Sequence, residues 1–306
     1  MSSPWRSSPK MKSLSEVFGT IPVPTGNGFW KNLRAFMGPG FLVAVGYMDP
    51  GNWATDLAGG ASFGYTLLSV ILVSSIFAII LQHLALKLGV ASGRDLAQAC
   101  GDAFSKPVAI FLWFVCEIAI AACDLAEVIG SALALQLLFG IPILAGIVIT
   151  ILDVFLILYF QNKGFKVIES IVLSLLIVIV CCFAYELFIS QPSMSGIMAG
   201  LVPQSSVVMN PSQLYVAIGI LGATVMPHNL YLHSSIVQTR AIKDTEEDKE
   251  KAIKFATWDS TLSLGLAFFI NAGILILAAA AFHGNNLQHV ADIRDAYQLL
   301  DPVLGS

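Results

Sequence analysis

Two short segments of the chain each place a proline next to side chains that can bind a cation. The segments are Gly46–Asn52 and Gly222–His228, and both lie within long apolar runs. A proline inside a helix removes a backbone hydrogen bond and clashes with the preceding turn, so each segment predicts a broken helix. The side chains beside the two prolines are those of Asp49, Asn52, Met226 and His228. These side chains indicate a metal ion as the ligand.

Two broken helices in one membrane protein indicate a binding site, because a lipid bilayer permits few unpaired backbone groups. A broken helix is tolerated in lipid only where its freed backbone lines a cavity or binds something. Two such interruptions in separate apolar spans are typical of the central binding site of a transporter.

Asp49 is a carboxylate near the middle of an apolar run that contains no Lys or Arg. Such a charge is costly in the membrane and needs a partner, which a bound cation or a proton supplies. Pro50 and Gly51 unwind the helix and free carbonyl oxygens, and Asn52 adds an amide oxygen. The alternative is an ordinary proline kink in which Asp49 caps the following helix.

The second break offers a carbonyl oxygen and a sulfur atom. Pro227 deprives the helix of the hydrogen bond to the carbonyl of Ala223, four residues earlier, so that oxygen is available as a ligand. Met226 offers a thioether, and sulfur ligands favour transition metals, whereas Mg²⁺ and Ca²⁺ prefer oxygen. His228 and His233 follow in the same run. Histidine relays protons near neutral pH, but either residue equally suits a hydrogen bond to a neighbour.

Three acids occur in another apolar run, at Glu117, Asp124 and Glu127. Their spacing places them within about 80° of one another around a helix. Acids in lipid are expected to face a polar interior, and chains of Asp, Glu and His commonly conduct protons. A structural network of hydrogen bonds between helices is the alternative.

The composition indicates a membrane protein that crosses the bilayer several times. The chain has 306 residues, of which 56% are hydrophobic and 12% are charged. A soluble domain carries about 25% charged residues. The five cysteines include no C-x-x-C motif and mostly occupy apolar runs, so we interpret them as reduced packing residues rather than a disulfide or zinc site.

Seven apolar segments are long enough to cross a bilayer. They lie near residues 36–60, 66–88, 107–138, 142–160, 167–190, 213–237 and 257–282. With seven spans, every Lys and Arg except Arg294 falls on one side, which predicts a cytoplasmic amino terminus. Residues 1–30 predict a mobile tail, and residues 243–254 predict a short surface helix.

The chain resembles the Nramp family of divalent metal transporters, including the bacterial proton-dependent manganese and iron transporters. The resemblance rests on Asp49–Asn52 in span 1, Met226–Asn229 in span 6, the acids of span 3 and Gly38–Gly40. It implies an all-α polytopic membrane protein of LeuT-like fold, with two inverted five-helix repeats and with spans 1 and 6 discontinuous.

Members of the family have ten or more spans, so the resemblance also implies that this chain stops after its seventh span. It would then hold the first repeat and two helices of the second. The implied regions are a cytoplasmic amino-terminal tail (1–35), the first repeat with spans 1–5 (36–190), an external loop (191–212), spans 6 and 7 (213–282) and an external segment (283–306).

The resemblance further implies roles for individual residues. The implied metal ligands are Asp49, Asn52, Met226 and the carbonyl of Ala223. The implied proton pathway consists of Asp49, Glu117, Asp124, Glu127, His228 and His233. The implied helix breaks are Pro50, Gly51 and Pro227.

The implied activity is transport of Mn²⁺ and Fe²⁺, and also of Co²⁺, Cd²⁺ and Zn²⁺, together with protons. The metal is the transported substrate, and no cofactor and no nucleic acid partner are expected. The expected location is a bacterial inner membrane, with the lipid bilayer as a partner.

Three other functions compete with this interpretation. A transporter of the same fold could carry amino acids with a cation, but Asp49 would repel the substrate carboxylate. An intramembrane zinc protease would need H-E-x-x-H, which is absent. An inactive form that only binds metal is the third.

Overall fold

The computed structural model describes residues 18–24, 28–161 and 165–283. The expected mobile tail before residue 18 and the expected external segment after His283 lie outside these residues. The helices are α1 (Phe29–Phe36), α2 (Pro39–Gly46), α3 (Pro50–Phe63), α4 (Leu68–Ser92), α5 (Leu96–Ala103), α6 (Lys106–Phe139), α7 (Ile143–Gln161), α8 (Phe165–Ser190), α9 (Met194–Gly200), α10 (Ser206–Met209), α11 (Pro211–Thr224), α12 (Pro227–Ile236) and α13 (Glu246–Ala281).

Both predicted helix breaks are present. Helix α2 ends at Gly46 and α3 begins at Pro50, while α11 ends at Thr224 and α12 begins at Pro227. Each proline takes the first position of its helix, where the missing backbone N–H is not needed for a helical hydrogen bond.

Five helical segments in the described ranges are long and apolar enough to cross a membrane. They are Leu68–Ser92, Lys106–Phe139, Val167–Ser190, Pro211–Thr239 and Glu246–Ala281. Helix α7 contributes a shorter apolar segment, Ile143–Leu156. The predicted first span is divided by its break into helices of 8 and 14 residues, each too short to cross alone.

The prediction of a separate surface helix at residues 243–254 was wrong. Helix α13 runs without interruption from Glu246 to Ala281, because no Gly or Pro occurs between Glu246 and Ser263. Thr245 caps its first turn, since the backbone N–H of Asp248 donates to the Thr245 hydroxyl at 3.2 Å. The acids of the first turn also favour a helix start there.

The prediction of a mobile tail was wrong for residues 18–24 and 28–30, and the predicted tail boundary at 35 falls inside α1. Strand β1 (Ile21–Pro22) pairs in parallel with strand β2 (Arg240–Ala241). Helix α1 buries Leu33 and Phe36 in a hydrophobic cluster. Such contacts lie far apart in sequence, so local composition gave no sign of them.

The turn between α1 and α2 is held by two buried charged side chains. The guanidinium of Arg240 donates to the carbonyls of Ala35, at 3.3 Å, and Met37, at 2.8 Å. The carboxylate of Asp259 accepts the backbone N–H groups of Gly38, at 3.3 Å, and Gly40, at 2.7 Å. The backbone at the start of the broken span is therefore hydrogen-bonded on both sides of the turn.

The chain divides into two compact units. One comprises residues 1–46, 78–122 and 226–264, and the other comprises 47–77, 123–225 and 265–306. The core of the first includes Phe36, Leu86, Val237 and Phe255. The core of the second includes Leu67, Leu68, Ile71, Ile220 and Leu275.

The region predicted as an external loop, residues 191–212, contains two short helices, α9 and α10. The hydroxyl of Tyr65 accepts the backbone N–H of Ser193 at 3.2 Å. Gly196 and Gly200 of α9 face Tyr65 so closely that a Cβ at either position would clash with it. Helix α9 is therefore packed against the turn between α3 and α4.

We predict that Gly60→Ala destabilises the protein by about 1–3 kcal/mol, because overpacking a closely packed interior forces backbone shifts. A Cβ at Gly60 would clash with the carbonyl oxygen of Leu275 and lie 2.7 Å from the Cβ of Ala278. Reversible unfolding in mixed detergent micelles measures the change. Gly265→Ala is the control, since a Cβ there meets nothing within 4 Å. Equal stability of the two variants would contradict the packing of α3 on α13.

Candidate metal-binding site

Asp49 is the residue that caps α3 immediately after the first break. Its Oδ1 atom accepts the backbone N–H of Asn52 at 2.7 Å and the side-chain amide of Asn52 at 2.8 Å. The local cap considered in the sequence analysis is therefore present. The Asp49 side chain is buried. Its Oδ2 atom takes no part in this cap.

Asn52 connects the first break to the end of α11. Its side-chain amide also donates to the carbonyl of Ala223 at 3.0 Å. The hydroxyl of Thr224 donates to the carbonyl of Ile220 at 2.7 Å and lies 3.4 Å from the Asn52 Oδ1 atom. The structure thus brings together three of the four predicted ligand groups, those of Asp49, Asn52 and Ala223.

Met226 is the fourth predicted ligand, and it belongs to the other compact unit. It is the residue before α12 and its side chain is 5% exposed. The thioether is therefore withdrawn from solvent beside the second break.

Asn271 of α13 is a member of this site that the sequence analysis missed. Its side-chain amide donates to the carbonyl of Tyr47 at 2.8 Å and lies 3.5 Å from Asn52 Oδ1. The residue is 2% exposed, and its Oδ1 atom has no hydrogen-bond partner among the described residues. The only sequence signal was a single polar residue in the apolar run Ala267–Ala281.

Asp56 was also missed. It lies two helical turns after Asp49 and is 1% exposed. Neither carboxyl oxygen has a hydrogen-bond partner within the described part of the chain. A buried ionised carboxylate is costly without a partner, so this group also calls for a proton or a cation.

Cys123 of α6 adds a thiol to the first break. Its Sγ atom lies 3.8 Å from Asp49 Oδ2 and 3.9 Å from Glu127 Oε1. Our interpretation of all five cysteines as packing residues therefore does not describe this one. All five are free thiols.

The three acids of α6 do not lie in an enclosed interior within the described residues. Glu117, Asp124 and Glu127 are all exposed there. Glu127 is linked to Asp49 through Cys123, whereas Glu117 belongs to the other unit.

The two histidines of α12 differ in their surroundings. His233 is fully buried, and its Nδ1 atom lies 2.8 Å from the Oε1 atom of Gln82. Its Nε2 atom has no partner among the described residues. His228 is partly buried. The alternative role considered for His233 was a hydrogen bond to a neighbour. The Nδ1 atom makes such a bond, to Gln82 of α4.

The ligand set at the first break has the chemistry of a divalent metal site built on one acid. It combines a carboxylate, amide oxygens and a backbone carbonyl, which suit Mn²⁺. In the described ranges no cluster of three or more His, Cys, Asp or Glu side chains is arranged to hold a metal.

The sequence is similar to known membrane transporters. Residues 40–306 match the model of the Nramp family, described as natural resistance-associated macrophage protein-like. The chain belongs to the Nramp family. A divalent metal cation transporter MntH from Listeria welshimeri is 59% identical over 302 residues, which cover 99% of this chain and 67% of the relative. The MntH of a Nostoc species is also 59% identical, over 96% of this chain and 66% of the relative.

Solved structures agree with this assignment. A manganese transporter from Eremococcus coleocola, crystallised with an aromatic bis-isothiourea compound, aligns with a TM-score of 0.87 and 45% identity, over 97% of this chain and 61% of that one. A variant of the same transporter aligns with a TM-score of 0.82 and 46% identity, over 89% and 56%. The chain thus spans about two thirds of the curated relatives it matches. The predicted all-α, LeuT-like membrane fold of the Nramp family is confirmed.

We predict that Gly130→Ala weakens Mn²⁺ binding roughly tenfold without altering a ligand, since residues that orient ligands typically matter at this level. A Cβ at Gly130 would lie 2.5 Å from Cγ and 2.7 Å from Cβ of Pro50, so the residue next to Asp49 must move. Isothermal titration of the purified protein measures the affinity. Gly101→Ala is the control, because a Cβ there meets nothing within 4 Å. Unchanged affinity in Gly130→Ala would show that the position of Pro50 is not important for binding.

Proposed function

We propose that this protein is a proton-coupled importer of divalent transition metal ions, with Mn²⁺ and Fe²⁺ as its main substrates. The observation that carries the proposal is the meeting of Asp49, Asn52 and the Ala223 carbonyl at the first helix break. Membership of the Nramp family and the names of the MntH relatives support it. The metal is cargo, and the proposal requires no cofactor.

Metal binding would begin at Asp49. A carboxylate withdrawn from water in a membrane protein attracts a cation strongly, because the surrounding medium screens charge poorly. The amide oxygen of Asn52 and the carbonyl of Ala223 then replace water in the shell of the ion. Asn52 must turn its oxygen toward the ion, because its nitrogen now donates to both groups.

Met226 would provide selectivity. Its thioether is a poor ligand for Ca²⁺ and Mg²⁺, which need oxygen, but an acceptable one for Mn²⁺, Fe²⁺ and softer ions. A site with one sulfur therefore discriminates against the two abundant hard cations.

Protons would move along ionisable side chains near the two breaks. The proposed pathway consists of Asp49, Glu117, Asp124, Glu127, His228 and His233. The contacts of Cys123 with Asp49 and Glu127 support a connection between the first break and α6. The placement of Lys and Arg supports a cytoplasmic amino terminus. The proposed location is a bacterial inner membrane.

The alternatives fit the site less well. An amino acid carboxylate would be repelled by Asp49, whose Oδ2 atom already faces Glu127 across Cys123. The run Gly60–Gly64 has the pattern G-x-S-x-G, but it lies at the end of α3 rather than at the strand-to-helix turn that a serine hydrolase needs. An inactive form differs from the proposed transporter in one measurable way, because it would bind the metal without carrying it across the membrane.

We predict that Asp49→Asn lowers Mn²⁺ affinity more than about a hundredfold and stops Mn²⁺ uptake into proteoliposomes, because the one ionised ligand is lost. The variant keeps the shape of the side chain and one oxygen for the cap of α3. Asp153→Asn is the matched control, since Asp153 is an exposed acid of α7.

Three results distinguish the alternatives. Loss of binding and uptake in Asp49→Asn alone supports the proposal. Full uptake in Asp49→Asn contradicts it. Tight Mn²⁺ binding by the unaltered protein without any uptake supports the inactive form.

We predict that Met226→Ala lets Ca²⁺ and Mg²⁺ compete with Mn²⁺ about tenfold better, because the sulfur ligand that excludes them is removed. Competition titrations against Mn²⁺ measure the effect. Met198→Ala is the control, since Met198 is 64% exposed on α9. Unchanged discrimination in Met226→Ala would exclude the thioether as a ligand.

A further inference from the structure

The exposed face of α1 combines a large aromatic ring with two positive charges. Trp30 is 78% exposed, and Lys31 and Arg34 are exposed beside it. At 100° per residue, these three side chains lie within about 100° of one another around the helix. The opposite face buries Leu33 and Phe36 in the hydrophobic cluster. Helix α1 is therefore amphipathic, and its exposed face is aromatic and basic.

The first part of α13 presents a similar set of side chains. Lys254, Trp258 and Leu262 are exposed, and their spacing of four residues places them within about 80° on one face of the helix. Helix α13 is one of the segments that are long and apolar enough to cross a membrane, and Lys254 is its last Lys or Arg. Trp258 therefore lies one turn inside the point where the basic residues end. Tryptophan is enriched at this level, where lipid headgroups meet the hydrocarbon.

The ring of Phe29 connects the two helices. Its centroid lies 5.4 Å from that of Trp30 and 6.4 Å from that of Trp258. It also lies 5.5 Å from the ring of Phe255, which is buried. Because Phe29 contacts both tryptophans, Trp30 and Trp258 belong to the same surface of the protein.

The basic side chains on this surface are available to an external anion. Within the described residues, Lys31, Arg34 and Lys254 form no ion pair. The ion pairs that occur there involve Arg94 and Lys249 instead. Positive charges without a partner in the fold can therefore act on a ligand outside it.

The acids of α13 lie away from the level of Trp258. Four of them precede Trp258 by 8 to 12 residues, which is about 12–18 Å along a helix: Glu246, Glu247, Asp248 and Glu250. Asp259 is buried and accepts the backbone N–H groups before α2. Helix α1 contains no Asp or Glu. The exposed charges on α1 and beside Trp258 are therefore positive.

We propose that the basic aromatic surface, formed by Trp30, Lys31, Arg34, Lys254 and Trp258, binds the headgroups of anionic phospholipids at one face of the membrane. An indole ring suits the headgroup level because one edge is polar and the rest is apolar. Lysine and arginine near the bilayer attract anionic lipids. The proposal requires that the chain lies in a membrane, and it does not require that the chain transports metal.

Binding of lipid at this surface would anchor the start of the broken span. Helix α1 ends at Phe36 and α2 begins at Pro39. Arg240 and Asp259 hold the short turn between them through buried hydrogen bonds. A lipid bound to α1 therefore acts on a segment that is tied to the first residues of α2.

The test measures which lipids lie next to Trp30 in the full chain. The protein is placed in phosphatidylcholine nanodiscs, and its fluorescence is quenched by added phosphatidylglycerol or phosphatidylcholine with brominated tails. The signal of Trp30 is the difference between the unaltered protein and Trp30→Phe. We expect brominated phosphatidylglycerol to quench Trp30 at an about tenfold lower fraction of the lipid, because the surface attracts negative charge. Nanodiscs expose both membrane faces, so the orientation of the chain does not affect the result.

A double variant tests the role of the two cations of α1. Lys31→Gln combined with Arg34→Gln should bring the two brominated lipids to within about twofold of each other. Lys243→Gln combined with Lys249→Gln is the matched control. It removes the same charge 9 to 15 residues before Trp258 and should keep the preference. The signal of Trp30 is obtained by subtraction of Trp30→Phe in each background.

A measurement on the unaltered protein does not depend on the folding of any variant. Added salt should reduce the preference for phosphatidylglycerol, because ions screen exposed charges. Quenching of Trp30 by both lipids should persist, since the indole ring stays at the headgroup level.

Four results would overturn the proposal. In the first, aqueous iodide quenches Trp30 and neither brominated lipid does, so the surface faces water. In the second, Trp30 is protected from all three quenchers, so protein covers it. In the third, the two lipids quench Trp30 equally in the unaltered protein. In the fourth, the control variant loses the preference as fully as the double variant of α1. Binding and uptake of Mn²⁺ are measured separately, so each of these results leaves the proposed function intact.

Discussion

The central constraint in this structure is that each helix break leaves backbone groups that must find partners inside an apolar protein. Asp49 accepts the N–H of Asn52 at the start of α3. Asn52 and Asn271 donate to the carbonyls of Ala223 and Tyr47. Three polar side chains therefore supply the bonds that the broken helices lack, and the same side chains present the oxygens that a cation needs.

This double role suggests how the site responds to its substrate. Without an ion, the nitrogen of Asn52 donates to both Asp49 and Ala223 and holds them together. An ion that binds both oxygens replaces that nitrogen, so Asn52 is free to turn its own oxygen inward. In the proposed function, bonds to the ion would therefore replace the hydrogen bonds that Asn52 donates, and the Ala223 carbonyl would keep a partner.

Local chemistry predicted the breaks well but not the partners that come from elsewhere in the chain. Pro50 and Pro227 act on their own helices, so both interruptions could be inferred from short segments. Asn271 and Asp56 carry no such signal, because one polar residue in an apolar run has several explanations. Only the folded structure shows that Asn271 lies beside Tyr47 and Asn52 and that the carboxyl group of Asp56 is buried.

The errors in the predicted fold also arise from features that short segments of sequence do not reveal. Residues 21–24 and 28–30 looked unstructured because their partners, β2 and Phe255, lie more than two hundred residues later. Residues 243–254 looked like a separate helix because their charge contrasts with the apolar segment that follows, yet the backbone of α13 continues through both. Composition indicated where the membrane segments are, but it did not indicate where a helix begins.

The most direct test of the account is X-ray absorption at the manganese edge on the purified, Mn²⁺-loaded protein. We predict a shell dominated by oxygen that contains one sulfur, and the loss of that sulfur in Met226→Ala. An oxygen shell identical in the unaltered protein, in Met226→Ala and in aqueous Mn²⁺ would contradict the proposal that Asp49 and Met226 are ligands of the metal.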